Sequence, residues 1–572
     1  MDPNTRYVPV NTPSSPAHAT PAIYNGILQI TYQSNTAGNY TATFLVADAG
    51  MLHIYFSVPT SLVWGPNELA ANAGGAIPSY HHAVPVRKSD FLSAGANFYV
   101  QFGISFSQQA PSVMVIFEDL GFTPGIVSPV PTPVPTSAIT VSVEPLVLAT
   151  SLSPSMAGFS YEKNKINTPI FRSSNTNLVN LFKLIGPSVF RIGGNSVEKT
   201  PWNASGLGSV AGEVAPNDII SLANFIKATD WTVIYGLSLA KSTPAAAAAE
   251  AQCAANAFGS HLLGFEIGNE PDLYYRNGLK PSTYTFSDFL SEWNACANAI
   301  LATVPHAVFT GPAPSYNYKQ FTIPFAAAVK QRISLLTHHY YRADGKSSTS
   351  TMDLLLSSDS GLLTELAAFS SAIKSNNIQG YRLAECNSFY NGGAPGISNG
   401  FGTALWTIDF LFKNALYGSS GVNFHGGGGG TGYTPIADNN GKVVEVRPVY
   451  YGMLLFSMAA NGTMLKTAMT GNTNLFSAYA SQSATGTLSV VLNNKNTTAE
   501  TVSVISLNKI TKSKGILLTA SSLNATSGYT LGGSTIGVNG SWSPVSTVSV
   551  AVSGNTARLT VPAGSAILLT LS

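Results

Sequence analysis

Two glutamates stand where short apolar runs give way to polar residues. Glu270 lies in Asn269-Glu270-Pro271-Asp272, directly after the run Leu262 to Gly268, and Glu385 closes the run Tyr381 to Glu385 before Cys386-Asn387. Two facing carboxylates are the minimum equipment for cleaving a glycosidic bond. One must carry a proton to help the leaving oxygen depart; the other must be ionised, to attack the anomeric carbon or to activate water. At a separation of about 5 to 5.5 Å the ionised carboxylate is a nucleophile and configuration is retained. An isolated glutamate would read as a cap or a salt-bridge partner, and only the pair carries the chemistry. Glu266, earlier in the same run as Glu270, is assigned a buried structural role.

For the pair to meet, the chain must bring two distant strand ends together. Short apolar strands alternate with helical stretches through the middle of the sequence. The strands are Ala157–Glu162, Val189–Gly194, Thr232–Leu239, Leu262–Gly268, Val308–Gly311, Ile333–Tyr340, Tyr381–Glu385 and Val422–Gly426. The helices are Thr176–Ile185, Pro216–Ala228, Pro244–Phe258, Phe286–Thr303, Leu362–Ser375, Phe401–Leu416 and Val449–Ala459, with Pro216 and Pro244 suited to a helix start. This alternation predicts a (β/α)8 barrel spanning residues 138–463, with a doubly wound open sheet as the alternative on pattern alone. In such a barrel the reactive groups sit where strands run into the loops at the C-terminal face. Other strand ends there carry Arg191 to Ser196, His338-His339-Tyr340-Tyr341 and Phe424-His425.

Around the barrel the pattern is all-β. Residues 1–124 hold short aromatic and β-branched runs, Ile23–Tyr32, Tyr40–Val46, Leu52–Val58, Phe98–Phe106 and Val113–Phe117, which predict a small sandwich or barrel. Tyr55, Trp64, Tyr80 and Tyr99 could stack on sugars, although half-buried strands favour aromatics anyway. Residues 125–137 contain Pro129, Pro131, Pro133 and Pro135 in alternation, a semi-rigid polyproline II linker. Residues 464–572 lose the helical period and read as a C-terminal β-sandwich, which residues 138–150 could join as a further strand.

Composition narrows the partners. Of 572 residues only 10% are charged, against about 25% in an ordinary soluble protein. Net charge is +2 with no basic run, so the footprint of a nucleic-acid binder is missing. No apolar stretch of about 18 residues is present to cross a membrane. The three cysteines, Cys253, Cys296 and Cys386, have no metal-ligand spacing, and His81-His82 lacks a third ligand. Gly426 to Gly430 lacks the Lys-Ser/Thr that would make it a phosphate loop. No metal or cofactor is expected, and oligomeric state is left open. The first residues lack a signal peptide, while low charge with abundant Ser, Thr and Asn suits a secreted or extracytoplasmic enzyme.

Several segments together resemble a known family. Phe265-Glu266-Ile267-Gly268-Asn269-Glu270-Pro271 is similar to the acid/base strand of the retaining glycosidases of clan A. Glu385 with Tyr390-Asn391-Gly392-Gly393-Ala394-Pro395 resembles the nucleophile segment of glycoside hydrolase family 79, the heparanase and β-glucuronidase group. His338-His339-Tyr340-Tyr341, Gly432-Tyr433 and Arg447-Pro448-Val449-Tyr450-Tyr451 are similar to further segments of that family, in the same order. The resemblance covers residues 138–572 and not 1–124. It implies that Glu270 is the general acid/base and Glu385 the nucleophile. It further implies that Asn269 bonds the sugar 2-hydroxyl and that Tyr340 donates to Glu385. For a uronate carboxylate it implies backbone N–H groups after the nucleophile and tyrosine hydroxyls, mapped here to Gly392, Tyr390 and Tyr433. Asn391 stands where heparanase-like sequences often have glycine, and loop packing is the plainer role for Tyr390 and Tyr433. Glu162, ending the first strand, is a candidate for binding a sugar hydroxyl.

The expected function is a retaining hydrolase that releases terminal β-linked glucuronic acid, or its 4-O-methyl form, from glycans or glycosides. A neutral-sugar glycosidase of the same clan is the alternative, and a non-catalytic carbohydrate-binding protein a further one. The 29 Lys plus Arg show no cluster near the strand-end loops, which favours exo action on a small or weakly charged substrate.

Overall fold

In the computed structural model the described residues are 139–572 apart from 428, 429, 431 and 472. Of residues 1–138, the description is confined to the backbone of eight short strands between Arg6 and Asp119. The chain forms two compact units, Met1–Thr132 and Pro133–Ser572. In the first, Phe98–Phe106 pairs with Gly38–Val46, and Gly50–Ser57 lies between Ser79–Val86 and Val113–Asp119. The strand Ser79–Val86 was not expected; it carries a proline, which argues against a strand in a one-dimensional reading. The side chains of Tyr55, Tyr80, Tyr99, His81 and His82, all of Trp64, and the proline-rich linker lie outside the described residues.

The second unit contains a closed parallel barrel. Its strands are β1 (Ala157–Glu162), β2 (Val189–Gly193), β3 (Thr232–Leu237), β4 (Leu262–Ile267), β5 (Phe309–Pro312), β6 (Ile333–Asp344), β7 (Gly380–Tyr390) and β8 (Val422–Gly426). Closure is carried by β1, which pairs with both β2 and β8, Phe159 lying beside Phe190 on one side and Phe424 on the other. A doubly wound open sheet is thereby excluded. The helices α1 (Thr176–Ile185), α2 (Pro216–Thr229), α3 (Pro244–Phe258) and α4 (Phe286–Thr303) follow the first four strands. Thr243 and Thr285 cap α3 and α4 with side-chain oxygens that take an otherwise orphaned N–H. Later come α5 (Ile323–Ala328), α6 (Met352–Leu356), α7 (Ser360–Asn376), α8 (Gly402–Leu416) and α9 (Pro448–Ala459). The two short helices α5 and α6 had no counterpart in the sequence pattern, because one or two turns are too short to show a period.

The layer between the barrel and its helices is densely aromatic. Phe159 stacks on Trp231 at 5.3 Å, Phe182 tilts against Trp231 at 4.6 Å, and all three are fully buried. Each large apolar side chain withdrawn from water this way contributes about 1.5–3 kcal/mol. Strands β6 and β7 depart from expectation in length. They run on beyond the polar residues as one paired ladder, His339 beside Glu385, Tyr341 beside Asn387 and Asp344 beside Tyr390. Glu385 therefore sits inside a strand, braced on both sides by backbone bonding.

The C-terminal β-sandwich is one continuous, curled sheet of ten strands. Ile139–Leu152 joins it, antiparallel to Gly462–Thr470 and parallel to Glu500–Ile505. Its inner face brings Ile139, Val141, Leu492, Val502, Leu559 and Ile567 into one buried cluster, so the two halves of the sheet pack on each other. The joint to the barrel is polar as well as apolar. Asp409 of α8 accepts from Ser477, Tyr479, Asn493 and Lys495 of the sheet, the Lys495 ammonium at 2.6 Å.

Candidate active site

Alternation along β6 decides which side chains enter the barrel. Successive strand residues point to opposite faces. Thr337, His339 and Tyr341 face the interior, where they meet Glu266, Glu270 and Glu385 at 2.8, 3.1 and 2.9 Å. His338 and Tyr340 face the helices. His338 bonds Thr322 at 2.9 Å, and Tyr340 stacks on Phe410 of α8 while its hydroxyl donates to Asp359. The expected contact of Tyr340 with Glu385 is therefore corrected to Tyr341, which is one residue further on and so of the opposite parity.

Glu270 and Glu385 do come together. One oxygen of each, with Nδ1 of His339, falls within 4.8 Å of the others. Glu270 closes β4 in the left-handed conformation, φ +51°, and its N–H donates to the carbonyl of Ala313 at 2.9 Å. The turn that aims it begins at Gly268, φ +88°, where a Cβ would lie 2.6 Å from the Tyr274 hydroxyl. Asp272 then accepts three successive N–H groups, from Ser315, Tyr316 and Asn317 at 2.8, 3.1 and 3.1 Å, and ties the loop after β4 to the loop after β5.

The two glutamates have different surroundings. Arg191 of β2, wholly buried, donates to Glu385 at 2.7 Å, to Glu266 at 2.7 Å and to Asn269 Oδ1 at 2.8 Å. Burial alone would raise the Glu385 carboxyl, but His425, His339 and Arg191 with the Tyr341 hydroxyl outweigh it and hold it well below the usual carboxylate range. Burial pulls His425 down, yet Glu385 and Glu162 raise it above its ordinary value. Glu162 is likewise lowered, burial being overcome by His425, and it accepts from the N–H groups of Asn195 and Ser196 at 3.3 and 2.7 Å. Glu266 has the buried structural place expected of it, between Arg191 and Thr337.

A cavity of about 780 Å³ opens over this cluster, lined by Glu162, Glu270, Tyr341, Glu385, Tyr390, Asn391, His425 and Tyr433 among others. Asn269 is buried beside it, and its Nδ2 has no protein partner. Tyr390 is 45% exposed at the rim, whereas Tyr433 is buried with its ring 5.9 Å from that of Tyr341. Gly392, φ +87°, accepts the Gly432 N–H at 2.7 Å and so ties the loops after β7 and β8 together. Asn391 takes the left-handed conformation, φ +59°, with its amide donating to Asp344 at 2.9 Å. The cavity wall also includes Lys199, Arg276 and Arg342. The reading that cations avoid the strand-end loops is corrected accordingly: they are far apart in sequence and converge only through closure of the barrel.

Arg191, His339, Tyr341 and His425 are the residues that sequence reasoning did not assign. All four stood in strand-end segments, but a period of two along β6 picks out His339 and Tyr341 only once its register is known. Glu270, His339 and Glu385 are a donor set that could hold a divalent cation. The Arg191 guanidinium already places a fixed positive charge beside Glu385, shared with Glu266.

No family model matches the chain. A β-glucuronidase of Aspergillus niger is 26% identical over 227 residues, 36% of this chain and 42% of that protein. A β-glucuronidase of Neurospora crassa is 25% identical over 285 residues, 42% of this chain and 50% of that protein. The chain thus matches half or less of the length of these curated relatives. Among solved structures, a 4-O-α-L-rhamnosyl-β-D-glucuronidase from Fusarium oxysporum 12S superposes with a TM-score of 0.59 at 21% identity, over 76% of this chain and 100% of that one. A family 51 α-L-arabinofuranosidase from Bifidobacterium longum gives 0.56 at 14% identity, over 76% and 100%. At such identities the likeness is one of architecture: about three quarters of the chain has the fold of these glycosidase structures, and the described residues 139–572 form a (β/α)8 barrel joined to a β-sheet.

Proposed function

We propose that the chain is a retaining glycoside hydrolase that releases terminal β-linked glucuronic acid, or its 4-O-methyl form, from glycans or glycosides. The observation that carries this reading is the carboxylate pair, Glu270 in the turn after β4 and Glu385 within β7, with one oxygen of each within 4.8 Å. That gap lies on the side of the retaining arrangement and is too short for the water that an inverting enzyme places between its carboxyls. Glu385, kept ionised by His425, His339, Arg191 and Tyr341, attacks the anomeric carbon as the glycosidic C–O bond breaks. Glu270 gives its proton to the departing oxygen, then takes one from the water that hydrolyses the glycosyl ester. Asn269, its Oδ1 fixed by Arg191, offers Nδ2 to the 2-hydroxyl. Glu162, beside His425, takes a further hydroxyl. Tyr390, Gly392 and Tyr433 are the candidates for holding the uronate carboxylate, for which oriented neutral donors suffice. Both sequence relatives being named β-glucuronidase supports uronide over neutral sugar. No helix among the described residues is long and apolar enough to cross a membrane.

The test is a panel of chromogenic glycosides with the wild type and Glu385→Gln. Turnover of glucuronides by the wild type, lost in the variant while sugar binding persists, is the expected result. Turnover of glucosides or xylosides without glucuronides would overturn the substrate assignment. Binding without hydrolysis by both proteins would overturn the enzyme reading.

A further inference from the structure

The cleft has two walls of different character. Strands β7 and β8 with the loops that follow them supply Glu385, Tyr390, Asn391, His425 and Tyr433, while the loops after β4 and β5 supply Glu270, Leu273, Arg276, Asn277, Ser315 and Tyr316. A general acid must stand beside the oxygen that leaves, so the leaving group lies along the second wall. There the Arg276 guanidinium covers the ring of Tyr316, 5.6 Å from its centroid. Tyr316 is 50% exposed, Arg276 is exposed, and among the described residues no carboxylate pairs with Arg276. This contrasts with Arg342 of the same cleft, whose charge is taken by Asp359 at 2.5 Å. The platform is also held in place. Asp272, two positions after Glu270 in the chain, grips the backbone of Ser315, Tyr316 and Asn317, so acid/base and platform share one anchor.

We infer that Arg276 and Tyr316 form a leaving-group subsite selective for aglycones that carry an anionic group, a carboxylate or a sulfate. This rests on Glu270 being the acid/base, and it revises the expectation of a weakly charged substrate. A guanidinium braced on an aromatic face presents its remaining N–H groups in a fixed fork that matches either anion bidentately. The tyrosine ring offers stacking area to the aglycone ring itself.

The experiment measures Kd on Glu385→Gln for aryl β-glucuronides whose aglycone bears a carboxylate, a sulfate or no charge. It is repeated on the same protein with Arg276→Gln or Tyr316→Ala added. Lys374→Gln, an exposed cation in the last turn of α7, is the charge-matched control. The expected result is tighter binding of anionic aglycones by about 5-fold, as for an exposed ion pair. That preference should fall toward unity with Arg276→Gln, persist with Lys374→Gln, and shrink as ionic strength rises from about 0.01 to 0.15 M. The carboxylate and sulfate arms show which anion is favoured. Equal affinity for charged and neutral aglycones, or a preference that survives Arg276→Gln, overturns the inference. Failure of the wild type to hydrolyse the uncharged glucuronide strikes the proposed function instead, since the affinity ratio is read without turnover.

Discussion

The substitution that tests the site most sharply is Tyr341→Phe set against Tyr340→Phe. The two tyrosines are adjacent, and one hydroxyl bonds Glu385 at 2.9 Å while the other bonds Asp359 behind the barrel wall. Tyr341→Phe keeps the ring against Tyr390 and Tyr433 and removes only the hydroxyl. A hydrogen bond to a charged, buried acceptor contributes about 1.5–3 kcal/mol. If that bond orients the nucleophile for attack, kcat/KM should fall roughly 10- to 150-fold. The pH profile gives an independent readout. The Tyr341 bond favours the ionised carboxylate, so losing it raises the Glu385 pKa and moves the acid limb of kcat/KM to higher pH. Tyr340→Phe should leave that limb in place and keep kcat/KM within about threefold. It should instead lower stability by about 1 kcal/mol through the lost Asp359 bond, read by urea unfolding. Steady-state kinetics on an aryl glucuronide between pH 3 and 8 check both. An acid-limb shift in Tyr340→Phe, or none in Tyr341→Phe, would refute the assignment of faces along β6.

Further outcomes follow from the same geometry. Glu270→Gln should depend on the leaving group: aryl glucuronides with acidic phenols need little proton donation and should keep a fast first step, whereas alkyl glucuronides should lose about 10²- to 10⁴-fold. A uniform loss across leaving groups would argue against the acid/base role. Lys495→Met should cost about 3–5 kcal/mol in urea unfolding, because Asp409 is left charged and buried at the barrel–sheet joint. Burial would raise Asp409, but Lys495 and Lys413 with the hydroxyl bonds lower it overall. A carboxyl depressed in the folded state stabilises above its ordinary value, and that stabilisation fades as pH falls through its folded pKa. The wild type should therefore lose stability on acidification below the ordinary carboxylate range, and Lys495→Met should lose less of it. An identical pH slope in both proteins would contradict this account of the joint.

How much of this was legible in the linear chain varies by element. Seven helices and all eight barrel strands were placed within a few residues, because long amphipathic and apolar runs impose their period locally. The helix Pro244–Phe258 and the strands Ala157–Glu162 and Val422–Gly426 match the expectation end for end. That Glu270 and Glu385 would come near each other was legible too, since the C-terminal portions of barrel strands converge whatever the loops do. Tyr340 was misassigned because neighbouring aromatics in a strand differ only in parity, and parity is fixed by the register of β6 against β7, which shifts at His338/His339.

The sequence by itself determined the elements, the (β/α) alternation and the candidate carboxylates, all set by local propensity and by the spacing of apolar residues. Tertiary structure alone decided the rest. It set the closure between β1 and β8, the convergence of Arg191, His339, Tyr341 and His425 on Glu385, and the meeting of Lys199 and Arg276 at one cleft. Those pairings join residues far apart in the chain. Their electrostatics depend on distance and burial, which no one-dimensional spacing encodes.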